Sequence, residues 1–151
     1  MDVLLDAACT AAQLTAWFSD PAGYFDDGQL FLPVEDLSRH GVRIEQVAER
    51  RCDDAFRDLL ADECLWAGDW LDKSWALPRD LGALRGRPAA AFLRAVHGRL
   101  RALERADYDS LSAPLRWSRP RTALAILGGL AWSAPPRSAG PRGPAGAVNS
   151  P

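Results

Sequence analysis

An all-α fold is predicted for this chain by two long stretches of helical apolar periodicity and by the helix breakers placed between them. Residues 53 to 77 carry apolar side chains near i, i+3, i+4 and i+7, the pattern of a helix with one buried face. Residues 88 to 106 repeat the pattern, with arginines on the opposite side. At 151 residues, the chain is long enough to build one domain around a sizeable core.

The first predicted element is a helix over residues 2 to 19, rich in small side chains that let another helix approach closely. Pro21, Gly23 and Gly28 then interrupt the pattern, because proline and glycine are the poorest helix formers. We therefore expect this helix to end within a residue or two of Asp20 and residues 21 to 29 to form a loop.

The next elements are punctuated by prolines and one glycine. Pro33 opens a short helix that Gly41 ends, and residues 44 to 49 form another short helix. Pro78 is expected to stop the first long helix, and Pro88 to lie in the first turn of the second.

The end of the chain changes in composition. Residues 107 to 109 close the second long helix, and a last helix is predicted over residues 120 to 132. Proline and glycine dominate after that, and such a segment cannot bury enough apolar surface to order itself. The predicted division is a helical region over residues 1 to 132 and a disordered tail over residues 133 to 151.

Charge and composition exclude several classes of protein. The net charge of −2 gives no basis for general nucleic-acid binding, and no apolar run is long enough to span a bilayer. Asp2 and Asp6 stand where a signal peptide would be basic. Cys9, Cys52 and Cys64 are odd in number and widely spaced, which fits reduced thiols and predicts a cytoplasmic protein.

A motif near the N-terminus carries the functional information. Residues 13 to 33 read QLTAWFSDPAGYFDDGQLFLP. This segment resembles the second aspartate-rich segment of the squalene/phytoene synthases, the head-to-head prenyl transferases, written roughly Q-L-T-N-x-x-R-D-x-x-E-D, three linker residues and G-R-x-Y-L-P. The identical positions are Gln13, Leu14, Thr15, Asp20, Gly28, Leu32 and Pro33. The stretch L-T-A-W-F-S-D is most similar to the L-T-N-F-W-Q-D variant of hopanoid-pathway, squalene-forming enzymes.

The resemblance implies a partial helical bundle of the isoprenoid synthase type. It also implies the family reaction, a Mg²⁺-dependent joining of two prenyl diphosphates, here farnesyl diphosphate. Residue by residue, it assigns Gln13, Asp20 and Tyr108 to substrate binding and Asp20 to the metal. A tyrosine packed at a helix end, with its hydroxyl in water, is the alternative for Tyr108.

The positions that carry chemistry in the family are the ones that differ here. Gly23 and Tyr24 replace the next two acids, Ala16 and Ser19 replace the asparagine and arginine, and Gln29 replaces the second arginine. Because Mg²⁺ is held by several oxygen ligands, the motif is degenerate as a metal site.

Other side chains have competing interpretations. Asp26 and Asp27 could join Asp20 in a relocated metal site, but we favour an acidic loop in water next to a helix end. The tryptophans at positions 66, 70 and 75 could line a groove for an apolar chain, or could pack between helices. We interpret His97 as partly buried, His40 as a helix-end residue and Cys64 as a small core hydrophobe.

Two functional classes remain. Family members carry a first aspartate-rich segment in an N-terminal half, and none precedes Met1, so the resemblance implies a C-terminal half. The chain is then a transferase, alone or with a partner chain that supplies the other half, or it is a non-catalytic remnant that binds a partner or an apolar chain. The implied partners are a prenyl diphosphate, the partner chain and a membrane surface contacted peripherally. We expect the isolated chain to be inactive.

Overall fold

The computed structural model describes residues 2 to 115, which fold into helices joined by short connections, with no strand in that range. In chain order the helices are α1 (Asp2–Ser19), α2 (Pro21–Asp26), α3 (Val34–His40), α4 (Ile44–Ala48), α5 (Asp54–Ser74), α6 (Leu77–Asp80) and α7 (Gly82–Arg105). The predicted all-α class is confirmed. The predicted helix over residues 120 to 132 and the predicted tail lie outside the described residues.

The core is built around the packing of α1 along α5. Ala8 and Ala11 of α1 share one apolar cluster with Leu71 near the end of α5, whereas Phe18 shares another with Phe56 near its start. The two helices are therefore antiparallel. The small side chains of α1 permit this contact, since both alanines are fully buried.

The remaining helices close the two ends of this pair. α2, α3 and α4 cover the Phe18 end, where Leu37 and Val47 enter the cluster, and α3 packs on α5. α6 and the first part of α7 cover the other end and pack closely on each other, whereas Leu103 near the end of α7 joins the Phe18 cluster. A Cβ atom built on Gly86 of α7 would lie 2.0 Å from the carbonyl oxygen of Pro78, so only glycine permits this approach.

The predicted loop after Asp20 is a helix instead. The chain does leave the first helix there, because Ser19 ends α1 and Asp20 has φ −151° and ψ 58°. It then turns at once into α2. Pro21 occupies the first turn, where its missing N–H and fixed φ are favourable, and Asp20 caps the helix. The loop prediction was wrong because it considered only the cost of Pro21 inside a continuing helix, and not its favourable position at the start of a new one.

Two further prolines lie elsewhere than predicted. α5 ends at Ser74, before Pro78, which lies in the first turn of α6. α7 begins at Gly82, so Pro88 is inside the helix and not in its first turn. Pro88 has no N–H to bond the carbonyl of Leu84, four residues earlier. Leu84 is 86% exposed, so water can take the place of that donor.

The short helices follow the sequence pattern. α3 ends at Gly41, whose φ of +68° is the left-handed conformation that glycine adopts without strain. Cys64 lies in the core as predicted, and all three cysteines are free thiols. Between residues 2 and 115, no helix is both long and apolar enough to cross a bilayer.

Candidate functional site

The motif segment begins on the last two turns of α1, where its polar side chains divide into two sets. Gln13 is exposed to solvent. Thr15 and Ser19 are buried and donate to carbonyl oxygens one turn back, those of Ala11 and Thr15, each at 2.6 Å. The two hydroxyls are therefore committed to the helix that carries them, and Ser19 cannot supply what an arginine at its position would.

The carboxylate of Asp20 is also engaged in a local hydrogen bond. Its Oδ1 accepts a hydrogen bond from the backbone N–H of Gly23 at 3.0 Å, the geometry of an N-cap. A Cβ atom at position 23 would lie 2.7 Å from that oxygen and 2.8 Å from Oδ2. If the family's acid stood at position 23, the Asp20 carboxylate would therefore have to shift from its present position.

A cation lies near Asp20. Arg99 is on α7, half-buried, and its electrostatic neighbours are Tyr24 and Asp20. Burial lowers the pKa of the Arg99 guanidinium, and these two neighbours oppose that shift. Its Nη2 donates to the carbonyl of Leu115 at 3.2 Å, while the N–H of Leu115 donates to Ser19 at 2.8 Å. Arg99 therefore helps to join α7 and the segment after it to the end of α1.

Sequence reasoning missed Arg99, although a signal was present. The arginines assigned to the solvated side of the second long helix were those at positions 94, 101 and 105. Arg99 lies next to Leu100, within the apolar stripe of α7 that includes Val96 and Leu103. An arginine inside an apolar stripe needs a partner, because burying a charge alone is costly.

Aromatic rings form a shallow cleft beside Asp20. The rings of Trp17 and Phe31 stack with centroids 4.0 Å apart and planes 2° from parallel, and Tyr24 meets Phe31 edge-on at 5.2 Å. The enclosed space is only about 10 Å³, roughly what one water molecule needs. An apolar chain could therefore enter this cleft only if its walls moved apart. Its lining consists of Trp17, Phe18, Pro21, Tyr24, Leu30, Phe31 and Leu32.

Tyr108 lies away from this group, past the end of α7. It packs against the core cluster that contains Cys64, and burial raises the pKa of its phenol. The backbone here is left-handed, with φ of +52° at Asp107 and +55° at Tyr108. Arg57 of α5 holds the segment, with Nη1 3.0 Å from Asp107 and Nη2 3.9 Å from Asp109. Tyr108 therefore packs at a helix end, and its role in substrate binding stays a prediction.

The donor set at Asp20 does not fit Mg²⁺. One carboxylate is present, one of its oxygens already accepts a backbone N–H, and an arginine faces it. Asp26 is ion-paired with Arg50, and Asp27 is the exposed C-cap of α2. Across the part of the chain that the structure describes, no three His, Cys, Asp or Glu side chains converge so that they could hold a metal ion.

Of the three tryptophans at positions 66, 70 and 75, two pack against the core and one is exposed. Trp70 is partly buried between the two core clusters, under the ammonium of Lys73 at 4.5 Å, whereas Trp66 is 49% exposed. Their rings meet edge-on at 6.4 Å. Trp75 packs against the cluster that contains Ala8, Ala11 and Leu71. His97 is partly buried, and burial lowers the pKa of its imidazole.

Comparison with known proteins identifies the family. A family model described as squalene/phytoene synthase matches residues 1 to 121. No curated protein and no solved structure gives a significant match. Because the family match covers well over half of the chain, the chain belongs to this family.

Proposed function

We propose that this member of the squalene/phytoene synthase family keeps the helical scaffold of a prenyl diphosphate-binding protein, but does not ionise a diphosphate through Mg²⁺ at Asp20. The observation that supports this most directly is the N-cap: the Asp20 carboxylate bonds the backbone of Gly23. The family as a whole binds prenyl diphosphates with Mg²⁺.

The chemistry explains why the cap matters. Ionising a prenyl diphosphate places several negative charges on the leaving group, and carboxylate-held Mg²⁺ neutralises them in the family reaction. In this chain the two acids expected after Asp20 are Gly23 and Tyr24. Asp20 is then a single carboxylate that already accepts a backbone N–H and has Arg99 as an electrostatic neighbour. It does not supply the several oxygen ligands that Mg²⁺ needs.

Aromatic surface beside Asp20 supports a contact with the apolar part of the substrate. The stacked rings of Trp17 and Phe31 form one wall of a cleft directly beside the end of α1. Aromatic walls suit the end of an isoprenoid chain, which offers only apolar surface. Farnesyl diphosphate is the substrate to test first, because L-T-A-W-F-S-D resembles the squalene-forming subgroup.

The test is an assay of the purified chain with farnesyl diphosphate and either Mg²⁺ or Mn²⁺, followed by extraction and analysis of C30 products. We expect no product above that of the Asp20→Asn variant, which keeps a capping side chain but loses the charge. Steady product formation that disappears in this variant would overturn the proposal.

A second candidate is a helical module that works with another chain. Leu65 and Trp66 of α5 are 55% and 49% exposed, and as neighbours they offer apolar surface to another chain. If a chain carrying the first aspartate-rich segment completes a transferase, product should form only when both chains are co-expressed. Association without product would instead support a non-catalytic binding role.

The cytoplasm is the compartment that we assign within this proposal. Its support is the chemistry of the thiols. Cys9 is exposed, Cys52 partly buried and Cys64 buried, and none forms a disulfide. Free thiols persist where the environment is reducing.

A further inference from the structure

Four ionisable side chains meet where α3 packs on α5, away from Asp20 and the aromatic cleft. Asp36 and His40 come from α3, and Asp62 and Glu63 come from α5. His40 Nε2 lies 3.1 Å from Asp62 Oδ2, and Glu63 lies within hydrogen-bonding reach of the Asp36 carboxyl. Arg39 pairs with Asp36 from the solvent side.

The Glu63–Asp36 contact requires a proton. An ionised carboxylate has only acceptors, so two carboxyl groups can bond each other only when one of them is protonated. Glu63 is the group that holds the proton more easily, because it is 6% exposed. Burial raises the pKa of Glu63 to about 7, the charges of Asp36 and Asp62 add to this shift, and His40 opposes it.

The His40 contacts require a second proton. Nδ1 of His40 donates to the carbonyl of Asp36 at 2.9 Å, because a carbonyl oxygen can only accept. Nε2 faces the Asp62 carboxylate, which also only accepts, so both ring nitrogens carry hydrogen when both contacts form. The bond to the Asp36 carbonyl raises the pKa of His40; burial and Arg39 lower it, and Asp62 raises it.

We propose that these two protons fasten α3 to α5, with Glu63 as the principal group, so that α3 is docked firmly in mildly acidic solution and loosely in alkaline solution. The other neighbour of Glu63 is Cys64, whose pKa burial raises to about 12, so its thiol stays neutral throughout. α3 directly follows Phe31 and Leu32, which line the aromatic cleft. Loosening α3 therefore loosens one wall of that cleft.

The direction of the pH effect follows from linkage. Glu63 has a higher pKa in the folded chain than its ordinary value of 4.5, so the folded state binds the proton more tightly. Its contribution to stability is present in full below pH 4.5, decreases as the pH rises towards about 7, and is lost above that. His40 has the same sign, because its folded pKa is also raised.

The experiment compares the full chain with Glu63→Gln, which keeps the shape and can donate to Asp36 at any pH. Glu49→Gln, an exposed position at the end of α4, is the matched control. The equilibrium constant for unfolding is measured for each protein at pH 5 and at pH 8. We expect it to rise between these pH values at least about tenfold more in the wild type and the control than in Glu63→Gln. His40→Gln should remove a smaller part of the change.

Two site-specific measurements complete the test. Hydrogen exchange in a peptide covering residues 33 to 42 should be faster in wild type than in Glu63→Gln at pH 8, and equal at pH 5. Carboxyl NMR of wild type should show Glu63 titrating near neutral pH. An ordinary midpoint near 4.5 for Glu63, or the same pH dependence in wild type and Glu63→Gln, would overturn the proposal.

Discussion

At the scale of single residues, the carboxylate of Asp20 has two candidate roles that require different neighbours. A metal ligand needs further carboxylates close by, whereas an N-cap needs a free backbone N–H two or three residues on. The structure provides the N–H of Gly23, and the sequence provides no acid at positions 23 and 24. Asp20 therefore stabilises α2, and Arg99 is among its electrostatic neighbours.

Substitutions at Asp20 separate capping from charge. We expect Asp20→Ala to lower the free energy of unfolding by about 1 kcal/mol, because the cap is lost, and Asp20→Asn to be nearly neutral, because asparagine caps equally well. Urea denaturation measures both, with the exposed Asp27→Ala as a control that should change little. An equal loss in both Asp20 variants would show that the charge near Arg99 matters more than the cap.

Restoring the family's acids should not restore the metal site. In Gly23→Glu with Tyr24→Asp, the new Cβ at position 23 would lie 2.7 Å from Asp20 Oδ1, so the Asp20 carboxylate must shift, and its bond to the backbone N–H still competes with metal binding. We expect calorimetry of this double variant to show no tight binding of Mg²⁺ and diphosphate. Tyr24→Asp alone is the control that keeps the cap. Tight, Mg²⁺-dependent binding by the double variant would contradict this reasoning.

At the scale of elements, the sequence predicts helices well and prolines poorly. The apolar stripe over residues 53 to 77 corresponds to α5, and the pattern over residues 2 to 19 to α1. Pro21 and Pro78 each lie in the first turn of a helix, where a loop and a helix end were predicted, and Pro88 lies inside the helix whose first turn it was predicted to occupy. Proline is favourable in a first turn and tolerated at an exposed interior position, and only the neighbouring packing decides which applies.

The apolar periodicity of the sequence did not predict the close contact between α6 and α7. This contact leads to a specific prediction. Gly86→Ala should destabilise the protein by about 1–3 kcal/mol, because its Cβ would overlap the carbonyl of Pro78 at 2.0 Å. Gly98→Ala on the same helix has open space around its Cβ and should stabilise by about 0.5–1 kcal/mol. Thermal unfolding distinguishes them, and similar effects for both would show that α6 does not pack closely on α7.

At the scale of the whole molecule, membership in the family and the composition of the site lead to separate conclusions. The family match and the all-helical architecture concern the scaffold, which a sequence specifies through many apolar positions. The site depends on a few residues whose partners come from distant elements. The apolar stripe of α7 indicates that Arg99 needs a partner, but no local pattern identifies Asp20 as its neighbour or Asp36 as the neighbour of Glu63.

The central claim is that the chain keeps the family scaffold but holds no metal at Asp20. Its most direct test is calorimetry of farnesyl diphosphate binding to the full chain, once in Mg²⁺ and once in EDTA. If Asp20 is a cap, the affinity should be the same in both solutions and unchanged in Asp20→Asn. Binding that requires Mg²⁺ and disappears in Asp20→Asn would show that the carboxylate holds a metal after all.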